Sequence, residues 1–521
     1  MYDFVIKNVR IIDGTSSPWF RGNVAVKDGI IKKVSSIDNF ESEEVIDGED
    51  KYLCPGFIDI HSHSDCSLPN NRFAESRILQ GITTEIGGDC GMSVAPVNKD
   101  NLNLLKDYIG QLEYDWLSLK EYLDFVESNG ISVNFGTAVG HGTIRIAAMG
   151  FENRSPKEHE LEYMKYLLER SLDEGAFSMS SGLIYPPGCY SDREEMIELC
   201  KVLNKYGAFY ETHMRDEGLS VISSVEEALD VCKKSKTPLQ IAHHKVIRKE
   251  GWTVSCKATV AMIEKARREG FDVTVDQYPY IASATTLDCN LPQWAFEGGL
   301  EKLILRLKDK TTRDKLRDEV NDSHKGRWQD ITIGYVESEK NAWTVGKSID
   351  EIAQIRGVDT ADACFDLIVE EKGRVNEIYY GMCEEDVEYI MSQGFVMIGS
   401  DGYSYSLNYP GLPHPRSYGT FPRVLAKYCR DRKLFSLETA INKMTGMPAA
   451  RLGIQDRGLI KEGMYADLVL FDLDKLKDTP TYANPKCACE GIVRVYVNGV
   501  LTAVNGKHTH QKAGKVLRKG R

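Results

Sequence analysis

A chain of 521 residues with 42% hydrophobic and 27% charged side chains is long enough for one large domain and a smaller companion, with the composition of a soluble globular protein. Its formal net charge of −12, with no basic run before the terminal "KAGKVLRKGR", argues against a nucleic-acid surface, because phosphate binding needs clustered Lys and Arg. No apolar run reaches the length of a membrane span, "MYDFVIKNVRIIDG" lacks a signal-peptide pattern, and thirteen scattered cysteines suit the reduced thiols of a cytoplasm.

Residues 1–54 read as short strands and turns ("NVRIIDGTSS", "GNVAVKDGIIKKVSS"). From there to residue 454, apolar β-branched runs recur, each ending in polar or Gly-rich residues: "GFIDIHSH", "GITTEIGGDC", "NFGTAVGHGT", "GAFSMSSG", "GAFYETHMR", "PLQIAHHKV", "DVTVDQYPY" and "FVMIGSDG". Segments of helical period separate most of them. Over 156–174, Leu161, Met164, Leu168 and Leu172 form one stripe; "SDREEMIELCKVLNKYG" opens with a capping box of Ser191 and Glu194 and stops at Gly207; 255–269 again ends at a glycine. Near-continuous apolar strands alternating with amphipathic helices describe an α/β fold with a parallel sheet, and eight such units predict a (β/α)8 TIM barrel over 55–454. Residues 285–345 are too long for one helix and read as a subdomain inserted between strands seven and eight, with a strand in "WQDITIGYV". Residues 455–521 return to strands, so the two chain ends predict a small β-sandwich, and the basic terminus reads as solvated chain.

The chemistry is concentrated where strands end. In "CPGFIDIHSHSD", strand alternation sends His61 and His63 to one side, where two imidazoles make half of a metal site. "GGDCG" places Cys90 at the end of strand two, "ETHMRD" His213 on strand five, "IAHHKV" His243 on strand six, and "IGSDG" Asp401 on strand eight. Of the neighbouring histidines only one can enter the barrel mouth; His243 shares a face with Lys245, which leaves His244 to the helix side. Taken singly, each has an ordinary explanation: a small buried thiol, a hydrogen-bonded strand-end histidine, a turn-forming aspartate. These metal-competent side chains at the carboxyl ends of one barrel point together to a metal-dependent active site. His141 in "VGHGTIR" also stands at a strand end, with an orienting and a structural role both open.

The motifs "PGFIDIHSHSD", "GGDCGMSVAP", "SSGLIYPPG", "THMRDE", "AHHK", "DQYPY", "GSDG" and "HPRSYGTFPRVL", with the closing "EGMYADLVLFD", resemble the D-aminoacylase (N-acyl-D-amino-acid deacylase) branch of the amidohydrolase superfamily. The resemblance covers nearly the whole chain. It implies zinc-dependent hydrolysis of N-acyl-D-amino acids to a carboxylate and a free D-amino acid. It also implies one tightly held zinc on Cys90, His213 and His243 and a second, weaker position at His61 and His63. Many superfamily members bridge two metals with a carboxylated strand-four lysine; "FSMSSG" offers none, and the resemblance gives the bridging role to Cys90. Zinc lowers the pKa of water from ~15.7 to ~7 in the best-studied case. Asp401 is then expected to accept the water's proton and deliver it to the departing amine. The α-carboxylate of the substrate calls for fixed cations, for which Lys245 and Arg416 are the candidates and Tyr280 a third donor. The tyrosine-rich "YSYSLNYPGLP" is expected to shape the side-chain pocket. Two other readings compete: a cyclic-amide hydrolase of the hydantoinase or dihydroorotase kind, and a catalytically inert amidohydrolase-fold scaffold. Whether the protein is a monomer or a homo-oligomer is left open by the sequence.

Overall fold

Each apolar run becomes a short parallel strand. The computed structural model describes residues 1–37, 40–110 and 113–520. Its barrel strands, in chain order, are Phe57–Asp59, Ile82–Gly87, Asn134–Thr137 continued by Val139–Gly140, Ser178–Gly182, Phe209–His213, Leu239–Ile241, Val273–Gln277 and Val396–Ile398. Each pairs in parallel with the next. The first and eighth meet where Ser62 bridges Gly402 and the Asp401 N–H donates to the His61 carbonyl at 2.9 Å. Closure makes this a (β/α)8 barrel, and burial of every strand on both faces is why the runs read as continuously apolar.

The helices follow their stripes with two adjustments. Glu158–Asp173 buries Met164, Leu168 and Leu172 as the period requires, but Leu167 is buried in place of Leu161. Arg193–Lys205 is capped by Asp192, whose carboxylate accepts the Glu195 N–H at 2.9 Å, and not by a Ser191–Glu194 box. Ser191 is consumed by the preceding turn, its hydroxyl donating to the Gly188 carbonyl at 2.7 Å. A hydroxyl so committed cannot also cap.

Between strands seven and eight stands a three-stranded antiparallel sheet of Ser283–Thr286, Ile331–Val336 and Val375–Tyr379. It has its own core, including Leu303, Leu316, Ile333 and Phe365. The insertion therefore extends well past residue 345. Val375–Tyr379 is the central strand and pairs with both of the others, so the sheet is incomplete without it.

The two chain ends meet in one sheet, nine-stranded among the described residues. Tyr52–Pro55 is the seam, pairing in parallel with Tyr2–Ile11 and antiparallel with Leu468–Phe471. The sheet curls until Ile30 bridges Tyr465, enclosing Phe4, Ile6, Val24, Leu468 and Tyr496. The expected sandwich thus takes the form of one sheet folded on itself. The basic terminus is docked rather than solvated. Gly514 N–H donates to the Ile131 carbonyl at 2.8 Å, Leu517 N–H to the Phe135 carbonyl at 2.7 Å, and Arg518 pairs with Asp124 and Glu127. Gly514 allows this approach, since a Cβ there would lie 2.0 Å from the Val133 carbonyl oxygen. Arg521, the last residue of that run, lies outside the described residues. Among those residues, no helix is long and apolar enough to cross a membrane.

Candidate metal centre

Strand ends deliver the side chains, and the loops just beyond them aim three of the residues. Cys90, His243 and Asp401 have φ of 53°, 33° and 51°, a left-handed backbone that costs non-glycine residues free energy and concentrates at functional sites. The Cys90 turn is clamped from strand four: the Ser180 hydroxyl donates to the Gly88 carbonyl at 2.5 Å and accepts the Gly91 N–H at 3.0 Å. Gly182 completes the fit, because a Cβ there would lie 2.1 Å from the Cys90 carbonyl oxygen. Strand four thus supplies a support for the thiol where other superfamily members supply a lysine.

Cys90 Sγ lies 3.2 Å from His243 Nε2 and 3.4 Å from His61 Nε2. Two groups of donors share this sulfur, Cys90 with His213 and His243, and Cys90 with His61, His63 and Asp401; within each, the ligand atoms lie within 4.8 Å of one another. Asp401 Oδ1 sits 3.0 Å from His63 Nε2 and 3.7 Å from His61 Nε2. All six side chains are buried. Among the described residues neither ring nitrogen of His213 has a hydrogen-bond partner, and the charged group facing Nε2 is Glu217, its Oε2 3.5 Å away. A buried imidazole without a hydrogen bond beside a thiol and a second imidazole is an unmet demand that a borderline-soft divalent cation satisfies, and the donor set fits zinc. Burial opposes ionisation of Cys90, but His243 and His61 alongside hold its thiol well below the usual range.

Carboxylates surround this cluster that sequence reading passed over. His61 Nδ1 lies 3.0 Å from Glu211 Oε1 and 3.1 Å from Asp276 Oδ1, and Asp276 Oδ1 also accepts the His243 N–H at 2.8 Å. Asp89 accepts the Ser62 N–H at 2.8 Å. Burial pushes the Glu211 and Asp89 carboxyls up. Glu211 was findable, since it stands two residues before His213 on one strand face. Asp276 belongs to the quoted "DQYPY" but carried no assigned role.

The substrate-binding candidates divide. Arg416 donates from Nη1 to Asp401 Oδ2 at 2.7 Å and from Nη2 to the Ala284 carbonyl at 2.9 Å, joining the centre to the inserted sheet. Lys245 Nζ lies 2.7 Å from His243 Nδ1. Tyr280 is not brought to the cluster: its hydroxyl donates to the Pro415 carbonyl at 3.3 Å, and its ring lies 4.7 Å from the Arg423 guanidinium. Tyr278 takes that place, its ring 5.0 Å from the Arg416 guanidinium and 5.8 Å from Lys245 Nζ. Strand seven ends at Gln277, and residues two apart share a face in any case, so alternation does not separate Tyr278 from Tyr280. His244 packs outward, Nε2 2.9 Å from Thr259 Oγ1 on the following helix. His141 is bound to Glu195 at 2.7 Å, within a pair with Arg145. The tyrosine-rich loop stacks away from the centre: the Tyr403 ring is 5.2 Å from that of His63, Tyr405 5.1 Å from Tyr403, and Tyr409 3.7 Å from Tyr405.

A closed (β/α)8 barrel with thiol, imidazole and carboxylate donors gathered at the carboxyl ends of its strands is the architecture of an amidohydrolase. The model of the amidohydrolase family matches residues 44–503, and the chain belongs to that family. Its relatives include the D-aminoacylase of Alcaligenes xylosoxydans xylosoxydans, 34% identical over 99% of this chain and 97% of that protein. The N-acyl-D-aspartate deacylase of the same organism is 32% identical over 99% of this chain and 95% of that protein. The crystal structure of N-acyl-D-glutamate deacylase from Bordetella bronchiseptica, complexed with zinc and a phosphonate inhibitor mimicking the tetrahedral intermediate, superposes with a TM-score of 0.83 at 30% identity. That match covers 99% of both chains.

Proposed function

We propose that this protein hydrolyses the amide bond of N-acyl-D-amino acids, releasing a carboxylate and a free D-amino acid. The observation that carries the reading is the convergence of Cys90, His213 and His243 beside the Asp401–Arg416 pair. Cys90, His213 and His243 would hold the tighter zinc, and His61 and His63, with Cys90 shared, a weaker second one. Zinc held there supplies a Lewis acid that lowers the pKa of water and polarises an amide carbonyl. Asp401 receives a proton at Oδ1 and returns it to the leaving amine. Burial opposes its ionisation, but Arg416 and His63 hold its carboxyl well below the usual range, so it begins ionised as a base must. A substrate α-carboxylate that takes up Arg416 loosens the ion pair and makes Asp401 a stronger base. Lys245 gives that carboxylate its second cation, with Tyr278 facing both.

A cyclic-amide hydrolase is disfavoured because strand four commits Ser180 to the Cys90 turn and offers no lysine. An inert scaffold is disfavoured because it has no need of the full donor set of Cys90, His213, His243, His61, His63 and Asp401 gathered in one buried cluster. The free cysteines support a cytoplasmic location. We further read 1–54 and 455–521 as one β domain flanking the barrel of 55–454.

The deciding experiment offers matched D and L N-acetyl amino acids to the metal-loaded protein and measures amine release. Release from the D series alone is expected; release from the L series alone, or from neither, rejects the reading. Arg416→Lys keeps the charge but loses the planar fork. One charge-assisted hydrogen bond is worth about 1.5–3 kcal/mol, so KM is expected to rise roughly tenfold or more with a smaller change in kcat. Steady-state kinetics with an unchanged KM would remove Arg416 from the carboxylate site.

A further inference from the structure

One buried carboxylate touches both halves of the candidate site. Glu217 stands four residues after His213, beyond the end of strand five, and is 3% exposed. Its Oε1 lies 2.6 Å from Lys245 Nζ and 3.1 Å from His243 Nδ1, and its Oε2 lies 3.5 Å from His213 Nε2. The turn that carries it is tied down. Asp216 Oδ1 accepts the Gly218 N–H at 2.5 Å and the Ser220 N–H at 3.2 Å, and the Asp216 N–H donates to Ser224 Oγ at 3.0 Å. The Glu217 carbonyl accepts the Ile247 N–H at 2.9 Å, which joins the loop after strand five to the loop after strand six.

An imidazole that presents one nitrogen to a metal is fixed in tautomer and orientation by what its other nitrogen donates to. His243 directs Nε2 at Cys90 Sγ, 3.2 Å away, and Nδ1 at the Glu217–Lys245 pair, 3.1 Å from Glu217 Oε1 and 2.7 Å from Lys245 Nζ. With Nε2 turned to a metal, Nδ1 carries the proton; the Lys245 ammonium 2.7 Å away has no lone pair to accept it, so Glu217 Oε1 is the acceptor within reach. We propose that Glu217 is a positioning residue that orients His243 and His213 toward the metal while pinning the Lys245 ammonium at the mouth, so that metal retention and carboxylate binding share one support. This rests on the metal-centre reading above. The simpler possibility is that Glu217 serves only as counter-ion to Lys245.

The two are separated by metal retention, which involves no substrate. Zinc-loaded protein is dialysed against a chelator and zinc per chain is measured for the parent, Glu217→Gln, Lys245→Met and the double variant, with thermal melting to confirm folding. Loss of such a support is expected to weaken retention about 10- to 100-fold. Glu217→Gln should show that loss alone and again in the Lys245→Met background, where no lysine remains to be neutralised; the double variant also avoids leaving a buried lysine unpaired. KM for N-acyl-D-amino acids should rise in Glu217→Gln. Parent-like retention in Glu217→Gln, or a loss that vanishes once Lys245 is methionine, overturns the proposal. If the parent itself retains no zinc, the metal-centre reading falls and the proposal with it. If the parent retains zinc but hydrolyses no N-acyl-D-amino acid, only the substrate reading falls.

Discussion

Asp401→Asn is expected to retain the metal on Cys90, His213 and His243 and to lose about 10²–10⁴-fold in turnover, the range over which a positioned acid–base group contributes. The substitution is nearly isosteric. An asparagine oxygen can still accept from Arg416 or face His63, now 2.7 Å and 3.0 Å from the carboxylate, so the local geometry has reason to persist. What it cannot do is take a proton at neutral pH. The paired measurement is zinc content and kcat on one preparation. Full turnover in this variant rejects Asp401 as the proton carrier, whereas a joint loss of zinc and turnover would make it a structural ligand instead.

Cys90→Ala is expected to empty the site. The sulfur is the donor common to both groups, so removing it leaves His213 and His243 with no third ligand and takes the shared vertex from His61, His63 and Asp401. The loss of retention should exceed the roughly 10–100-fold that accompanies removal of a ligand's supporting hydrogen bond. Alanine adopts the left-handed backbone at this position with no more difficulty than cysteine, and the Ser180 clamp acts on Gly88 and Gly91, so the turn should survive. Cys90→Ser is the companion, because a hydroxyl of similar size does not ionise near neutrality. Zinc retained by the alanine variant through dialysis would exclude Cys90 as a ligand.

What was legible in the chain depended on range. Strand alternation placed His61 and His63 on one side, and their rings are 5.9 Å apart. The same rule sent His244 to the helix side, where Thr259 receives it. It offered no choice between Tyr278 and Tyr280, which stand two residues apart, and it is Tyr278 that faces the cations. The capping box at Ser191 was lost to a competing turn bond, a choice between equal local motifs that only neighbouring backbone decides. Glu211 shares a strand face with His213 and was within reach of the same rule, whereas Asp276 looks like any other carboxylate until the barrel closes and sets it beside His61.

By itself the sequence determined the periodicities that make eight strands and their helices, the kinds of donor at the strand ends, and the lack of a lysine on strand four. Those properties are local, set within a few residues by backbone alternation and side-chain chemistry. Tertiary structure decided which donors meet. Cys90 and His243 are 153 positions apart and His63 and Asp401 338 apart, and closure of the barrel with left-handed turns at three of these four residues brings each pair within 3.2 Å.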